Sequence, residues 1–197
     1  STAVGKDALD GSISTSIRNT AIGAGAISNT LTAAGDYNTA VGFNAGTGIT
    51  SGNHNSAVGD NALAATAAGV RNVAMGQAAL GAGVCANDNT GLGYGALNVY
   101  TGSNATAVGS YAADAATSAG YLTAIGKNAL TSLTDGTGNT AVGYGSLYEL
   151  TTGDYNTAVG HATGQDVYGD HNTFMGRYAG LYAGDTDHCV AIGSSAL

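Results

Sequence analysis

A five-residue unit, Asn-Thr-Ala-Val-Gly, is written out in full at Asn139–Gly143 and returns with small changes along the whole chain. Its closing glycines are Gly5, Gly23, Gly42, Gly59, Gly76, Gly93, Gly109, Gly126, Gly143, Gly160, Gly176 and Gly193, twelve copies at steps of 16 to 19 residues. A period this short cannot enclose independent domains. Residues 1–197 therefore read as one repetitive segment, a supersecondary unit stacked on itself. The expected fold is all-β: a parallel β-solenoid of twelve coils of about 17 residues, one short strand per coil.

Each column of the repeat has a physical role. The residue before the glycine is Val, Ile, Leu or Met in every copy. Two positions earlier stands Thr, or Ser56, Val73 or Val190, and between them Ala, except at Gly91 and Phe174. Asn opens the unit at Asn19, Asn38, Asn55, Asn72, Asn89, Asn139, Asn156 and Asn172. Alternation along a strand puts the Thr and Val columns on one face and the Asn and Ala columns on the other. Stacked asparagines predict a ladder in which each amide donates to its neighbour's carbonyl. The recurring glycine predicts a corner with positive φ. After it comes Ala-Leu, as at Ala62-Leu63, Ala79-Leu80 and Ala129-Leu130, read as a second short strand or turn that puts one larger side chain per coil into a thin core. So thin a core, with few charges around it, points to lateral association through a flat face lined by Ala and Asn.

Composition narrows the function classes. Charged residues make up 9% of the chain, against about 25% in ordinary domains. Net charge is −8, and the five basic residues (Lys6, Arg18, Arg71, Lys127 and Arg177) are scattered, which disfavours nucleic acid. No apolar run approaches the roughly 18 residues of a membrane span, so no membrane insertion is expected. Cys85 and Cys189 lie six repeats apart, about 29 Å at the spacing of stacked strands, too far for a disulfide within one chain. The stretches from Gly11 to Arg18 and from Leu133 to Gly138 read as enlarged loops, and both ends of the segment read as uncapped.

Few residues point to chemistry. His54, His171 and His188 share the slot before the Asn column, and His171, His188, Asp170 and Asp187 are weak candidates for a cation site, although no metal or other cofactor is expected. Acidic residues fall in turns, with one Glu and no insertion that would build a glycosidase cleft, so the chain is not expected to be an enzyme. Tyr37 and Tyr155, each in the turn Asp-Tyr-Asn-Thr with Asp36 or Asp154 beside it, are candidate glycan-binding residues, since a tyrosine ring can stack on a sugar. The Thr column also raises an alternative, a monomeric β-solenoid with an ice-binding or carbohydrate-binding face.

The unit Asn-Thr-Ala-Val-Gly-x-x-Ala-Leu, and above all Val190-Ala191-Ile192-Gly193-Ser194-Ser195-Ala196, resembles the head repeats of trimeric autotransporter adhesins and the repeats of bacteriophage tail fibres. The resemblance covers all twelve copies. It implies a left-handed, β-roll-like solenoid with three chains intertwined or side by side as a homotrimer. It further implies end-to-end fibre neighbours, contact with cell-surface polysaccharide, and a place in a virion tail fibre or at a cell surface. The sequence departs from the adhesin pattern in its longer period and five-residue core unit. The adhesin's neck, coiled coil and membrane anchor are not seen in it, which brings the expectation nearer the phage fibre.

Overall fold

The computed structural model of the chain describes residues 1–11, 18–29, 31–32 and 35–197. It is a parallel β-solenoid with no helix among the described residues. Twelve three-residue strands follow one another: β1 (Thr2–Val4), β2 (Thr20–Ile22), β3 (Thr39–Val41), β4 (Ser56–Val58), β5 (Val73–Met75), β6 (Thr90–Leu92), β7 (Thr106–Val108), β8 (Thr123–Ile125), β9 (Thr140–Val142), β10 (Thr157–Val159), β11 (Thr173–Met175) and β12 (Val190–Ile192). They form one sheet whose order is the order of the sequence. Register follows the repeat: Thr140 pairs with Thr157, Ala141 with Ala158 and Val142 with Val159.

The period-two alternation holds. Ala40, Ala57, Ala107, Ala124, Ala141 and Ala158 are fully buried, while the Thr and Val columns on either side face outward. The expectation of association through an Ala- and Asn-lined face is overturned, because both columns form the interior of the chain's own coil. In most coils a methyl group lines the strand wall where it faces the opposite turn; in β11 the fully buried Phe174 takes that place, packed against Gly164 and Gly180 where other coils carry the turn leucine. The larger volume is supplied from that turn by Leu63, Leu80, Leu97, Leu130 and Leu147, all fully buried.

Asn side chains close the coils, and they do so mainly through the backbone. The Asn139 Oδ1 accepts the Asn156 N–H at 2.8 Å, and the Asn156 Oδ1 accepts the Asn172 N–H at 3.0 Å. Each Nδ2 donates to a carbonyl about one coil onward, such as Asn139 to Gly153 at 2.6 Å and Asn156 to Gly169 at 2.9 Å. Amide-to-amide donation, the expected mode, occurs from Asn55 to Asn38, Asn72 to Asn55 and Asn172 to Asn156 at 3.0–3.2 Å. The buried carbonyls of the loops compete for the same donors and more often win, since leaving one unpaired costs about 1–3 kcal/mol.

The corner glycine behaves as the repeat predicts. Gly143 has φ +137°, and a Cβ built there would lie 2.6 Å from the Gly160 carbonyl carbon, so neither the dihedral nor the space admits a side chain. Its N–H donates to the Ile125 carbonyl at 2.7 Å. The Ala-Leu pattern is a turn, not a strand: the Ala129 N–H reaches back to the Gly126 carbonyl at 3.2 Å. Leu130 then sits at φ +53°. A left-handed Leu costs about 1–2 kcal/mol, which is offset by about 1.5–3 kcal/mol for burying its side chain.

A third buried column completes the core with Leu31, Ile49, Thr66, Tyr100, Ala116, Leu133, Leu150 and Val167. This corrects the enlarged loop expected from Leu133 to Gly138: Leu133 and Gly136 are buried in a coil of ordinary length. The other enlarged loop, between Gly11 and Arg18, falls over 12–17 outside the described residues. Both cysteines are free thiols, Cys85 buried and Cys189 half-buried in the Asn column, where its N–H donates to the Asn172 Oδ1 at 2.9 Å.

Candidate functional site

The outward sheet face is a regular surface that runs over all twelve strands. Its two columns, Thr and Val, carry no Asp, Glu, Lys or Arg on any strand. Ile22, Met75, Ile125 and Met175 are between 40% and 48% exposed, and the Thr column beside them is half-buried to exposed throughout. Twelve strands at about 4.8 Å spacing, each about 10 Å long, make a strip of about 500 Å². Its apolar half, the Val, Ile, Leu and Met column, is flanked by the Thr hydroxyls, and exposed patches of this kind are often functional.

On the Thr side runs a rim of residues in left-handed geometry, one per coil. Tyr37, His54, Arg71, Asp88, Asn104, Tyr121, Tyr155, His171 and His188 all have φ between +54° and +62°. Because every coil presents this side chain in the same direction, the groups stack. Tyr37 and His54 lie 4.7 Å apart at 7°, Tyr155 and His171 5.2 Å apart at 11°, and His171 and His188 5.0 Å apart at 20°. The Arg18 guanidinium covers Tyr37 at 5.0 Å and also donates to its hydroxyl. Arg71 grips Asp88 in two hydrogen bonds of 2.6 and 2.8 Å, which holds the Asp88 carboxyl below its ordinary range.

Beyond the corner glycine lies a second rim. Tyr144 stacks on His161 at 5.2 Å, His161 meets the edge of Tyr178 at 5.5 Å, and Arg177 covers Tyr178 at 4.3 Å. Tyr94 and Tyr111 meet edge to face at 5.0 Å, and their hydrogen bond, ahead of burial, raises the Tyr111 phenol. Sequence reasoning missed His161 and Tyr178 and did not group Arg177 with them; reading the one or two residues after each corner glycine as columns would have found this rim. Near this rim a shallow pocket is lined by Asn128, Tyr144, Gly145, Tyr148 and Gln165.

The candidate glycan residues sit on the first rim, seven coils apart, and their rings are engaged by neighbours: Arg18 of the preceding coil covers Tyr37. Tyr37 stacks on His54, and Tyr155 on His171. Asp36 is half-buried, and Asp154 is engaged by the backbone, its Oδ1 accepting the Thr137 N–H at 2.7 Å. Asp170 and Asp187 extend the same pattern: Asp170 accepts from the Asp154 N–H at 2.8 Å, and Asp187 from the Asp170 N–H at 2.7 Å. These carboxylates stitch coil to coil while their histidines stack as rings. Among the described residues no three His, Cys, Asp or Glu groups are arranged to hold a metal ion. No helix of the described residues is long and apolar enough to cross a membrane. No protein-family model, no curated protein and no solved structure matches this chain.

Proposed function

We propose that the chain is a non-enzymatic structural and adhesive module: a rigid shaft that associates as a homotrimer through its outward Thr–Val face. Its setting, on this reading, is a virion tail fibre or a surface adhesin in contact with host-surface glycans. The observation that carries it is the uncharged, half-buried to exposed column of Val, Ile, Leu and Met running unbroken over all twelve strands. Such a column gains most by meeting a surface that is also uncharged and has the same repeat. Sister chains supply both, so methyl rows can interlock along the whole length. With part of each rim included, the buried area per chain approaches the roughly 800 Å² of a standard interface. The net charge of −8 lies off this face and opposes indiscriminate clumping.

Sedimentation equilibrium tests the proposal, with three times the 19.1 kDa of one chain as the expected mass. A second reading has its own support, since the Thr hydroxyls stand on the outside at regular spacing and could order water or a flat ligand. A monomer that produced thermal hysteresis would replace the trimeric shaft with that ice-binding reading.

A further inference from the structure

In each coil the second residue after the corner glycine is left-handed and points its side chain along the outer turn. Glycine occupies this place in three coils, and the three differ. A Cβ on Gly25 would run into the Asn44 side chain, and one on Gly95 would touch the Tyr111 ring at 3.3 Å. At Gly145 the nearest atom would be the Tyr148 Cδ2, 4.0 Å away. The next coil puts Ala162 in that column, and a methyl group is too short to reach back over the glycine.

Two small residues stacked in one column thus leave a notch, with Gly145 as its floor, Tyr144 and Tyr148 beside it, and Asn128 and Gln165 from the coils on either side. Among the described residues nothing hydrogen-bonds to the Asn128 or Gln165 side-chain amide. They stand about 10 Å apart along the stack, enough for a sugar ring with its hydroxyls. Tyr144 is braced by the stacked His161 ring, so little ordering remains to be done on binding.

The geometry points to this notch as a subsite for a neutral saccharide. Two phenol rings offer the apolar faces that a pyranose covers with its C–H groups. Two primary amides offer paired donors and acceptors for adjacent hydroxyls. No carboxylate, ammonium or guanidinium lines the walls, which disfavours phosphate and acidic sugars. The subsite rests on the attachment role proposed above and gives it a location distinct from Tyr37 and Tyr155.

The test is titration calorimetry of the full chain against maltotetraose, cellotetraose and mannotetraose, with a sialylated trisaccharide as the charged control. Gly145→Asn is the informative variant, because Asn44, Asn61 and Asn128 already hold this column at φ +51° to +58°. At least one neutral tetrasaccharide is expected to bind, and Gly145→Asn is expected to weaken it about tenfold or more with melting and sedimentation unchanged. Tyr148→Ala is expected to weaken it too. Absence of binding across the neutral panel, binding indifferent to Gly145→Asn, or equal binding of the charged control would overturn the subsite. Sedimentation reports separately on the trimer, so the two ideas can fail independently.

Discussion

In the coils closed by Asn139, Asn156 and Asn172 one side chain performs two tasks, while in the coil where Ala105 replaces it the donor's task passes to another residue. Each Asn accepts the N–H that follows it in the ladder and donates to a buried loop carbonyl. Ala105 can do neither, although its own N–H still donates to the Asn89 Oδ1 at 3.0 Å. The carbonyl an asparagine at 105 would have reached is Ala119, by the spacing of about fourteen residues seen at Asn72 and Asn139. That carbonyl is taken by the hydroxyl of Tyr100, a fully buried phenol rising from the preceding coil, whose single proton lies between it and the more distant Ser103 carbonyl at 3.1 Å. At 122 the slot is filled by a buried leucine. A buried loop carbonyl can thus be paired by another donor, and the asparagine is one way of providing it.

The corner glycine should be indispensable in either kind of coil. Gly143→Val is expected to cost more than about 3 kcal/mol, since it combines a forbidden dihedral with a backbone collision. Tyr155→Ala on the exposed rim should stay within about 0.5–1 kcal/mol. Denaturant melts followed by circular dichroism compare them, and equal effects would break the assignment of the columns. Next in size is Asn156→Ala, which strips the acceptor from the Asn172 N–H and Nδ2 and the donor from the Gly169 carbonyl. A loss of about 2–4 kcal/mol is expected from the orphaned buried groups, and a melt unchanged from wild type would mean that the amide ladder is dispensable.

Tyr100→Phe sharpens the comparison further, because it removes only the substitute. It should cost about 1–3 kcal/mol at neutral pH by leaving the Ala119 carbonyl unpaired. Burial, and to a lesser degree nearby Cys85, pushes the Tyr100 phenol up to about 12. Between its ordinary value near 10 and that value the folded chain keeps a proton that the unfolded chain releases. The phenol's contribution is thus complete below pH about 10 and lost as pH rises towards about 12. Thermal melts across this range should fall less steeply for Tyr100→Phe than for wild type. Parallel slopes would show that the phenol is not held as described.

Much of this was legible in the sequence, because parallel stacking turns a repeat directly into columns. The strand, the corner at Gly143 and the division of Thr and Val from Asn and Ala all follow from a period of about 17 and an alternation of two. Which face lies inward was not legible. Hydropathy alone favours burying Val over Ala, yet Ala faces the core because the turn leucines already fill it. The third core column hid in loops where Leu31, Thr66, Tyr100 and Val167 share no side-chain type. The notch at Gly145 was invisible for another reason: it depends on Ala162 in the next coil, seventeen positions away, and so on exact register.

The smallest effect on folding should come from the outward column, where the contrast between inside and outside is most exposed to test. Val142 borders the buried Ala141 but points away from it, half-exposed, and paired laterally with Ile125 and Val159. Val142→Lys leaves every ladder hydrogen bond in place, and the long side chain can lie along the strip with its ammonium in water. Stability of the isolated chain should shift by no more than about 0.5 kcal/mol. Association should respond in the opposite proportion, because three ammonium groups would be brought to one dry seam with no carboxylate on any strand to pair them. Sedimentation of Val142→Lys at a mass of one chain, with an unaltered circular dichroism spectrum, would place the seam on this face. A variant that still sedimented as a trimer would move the seam elsewhere, and a large loss of stability would mean that the column belongs to the core after all.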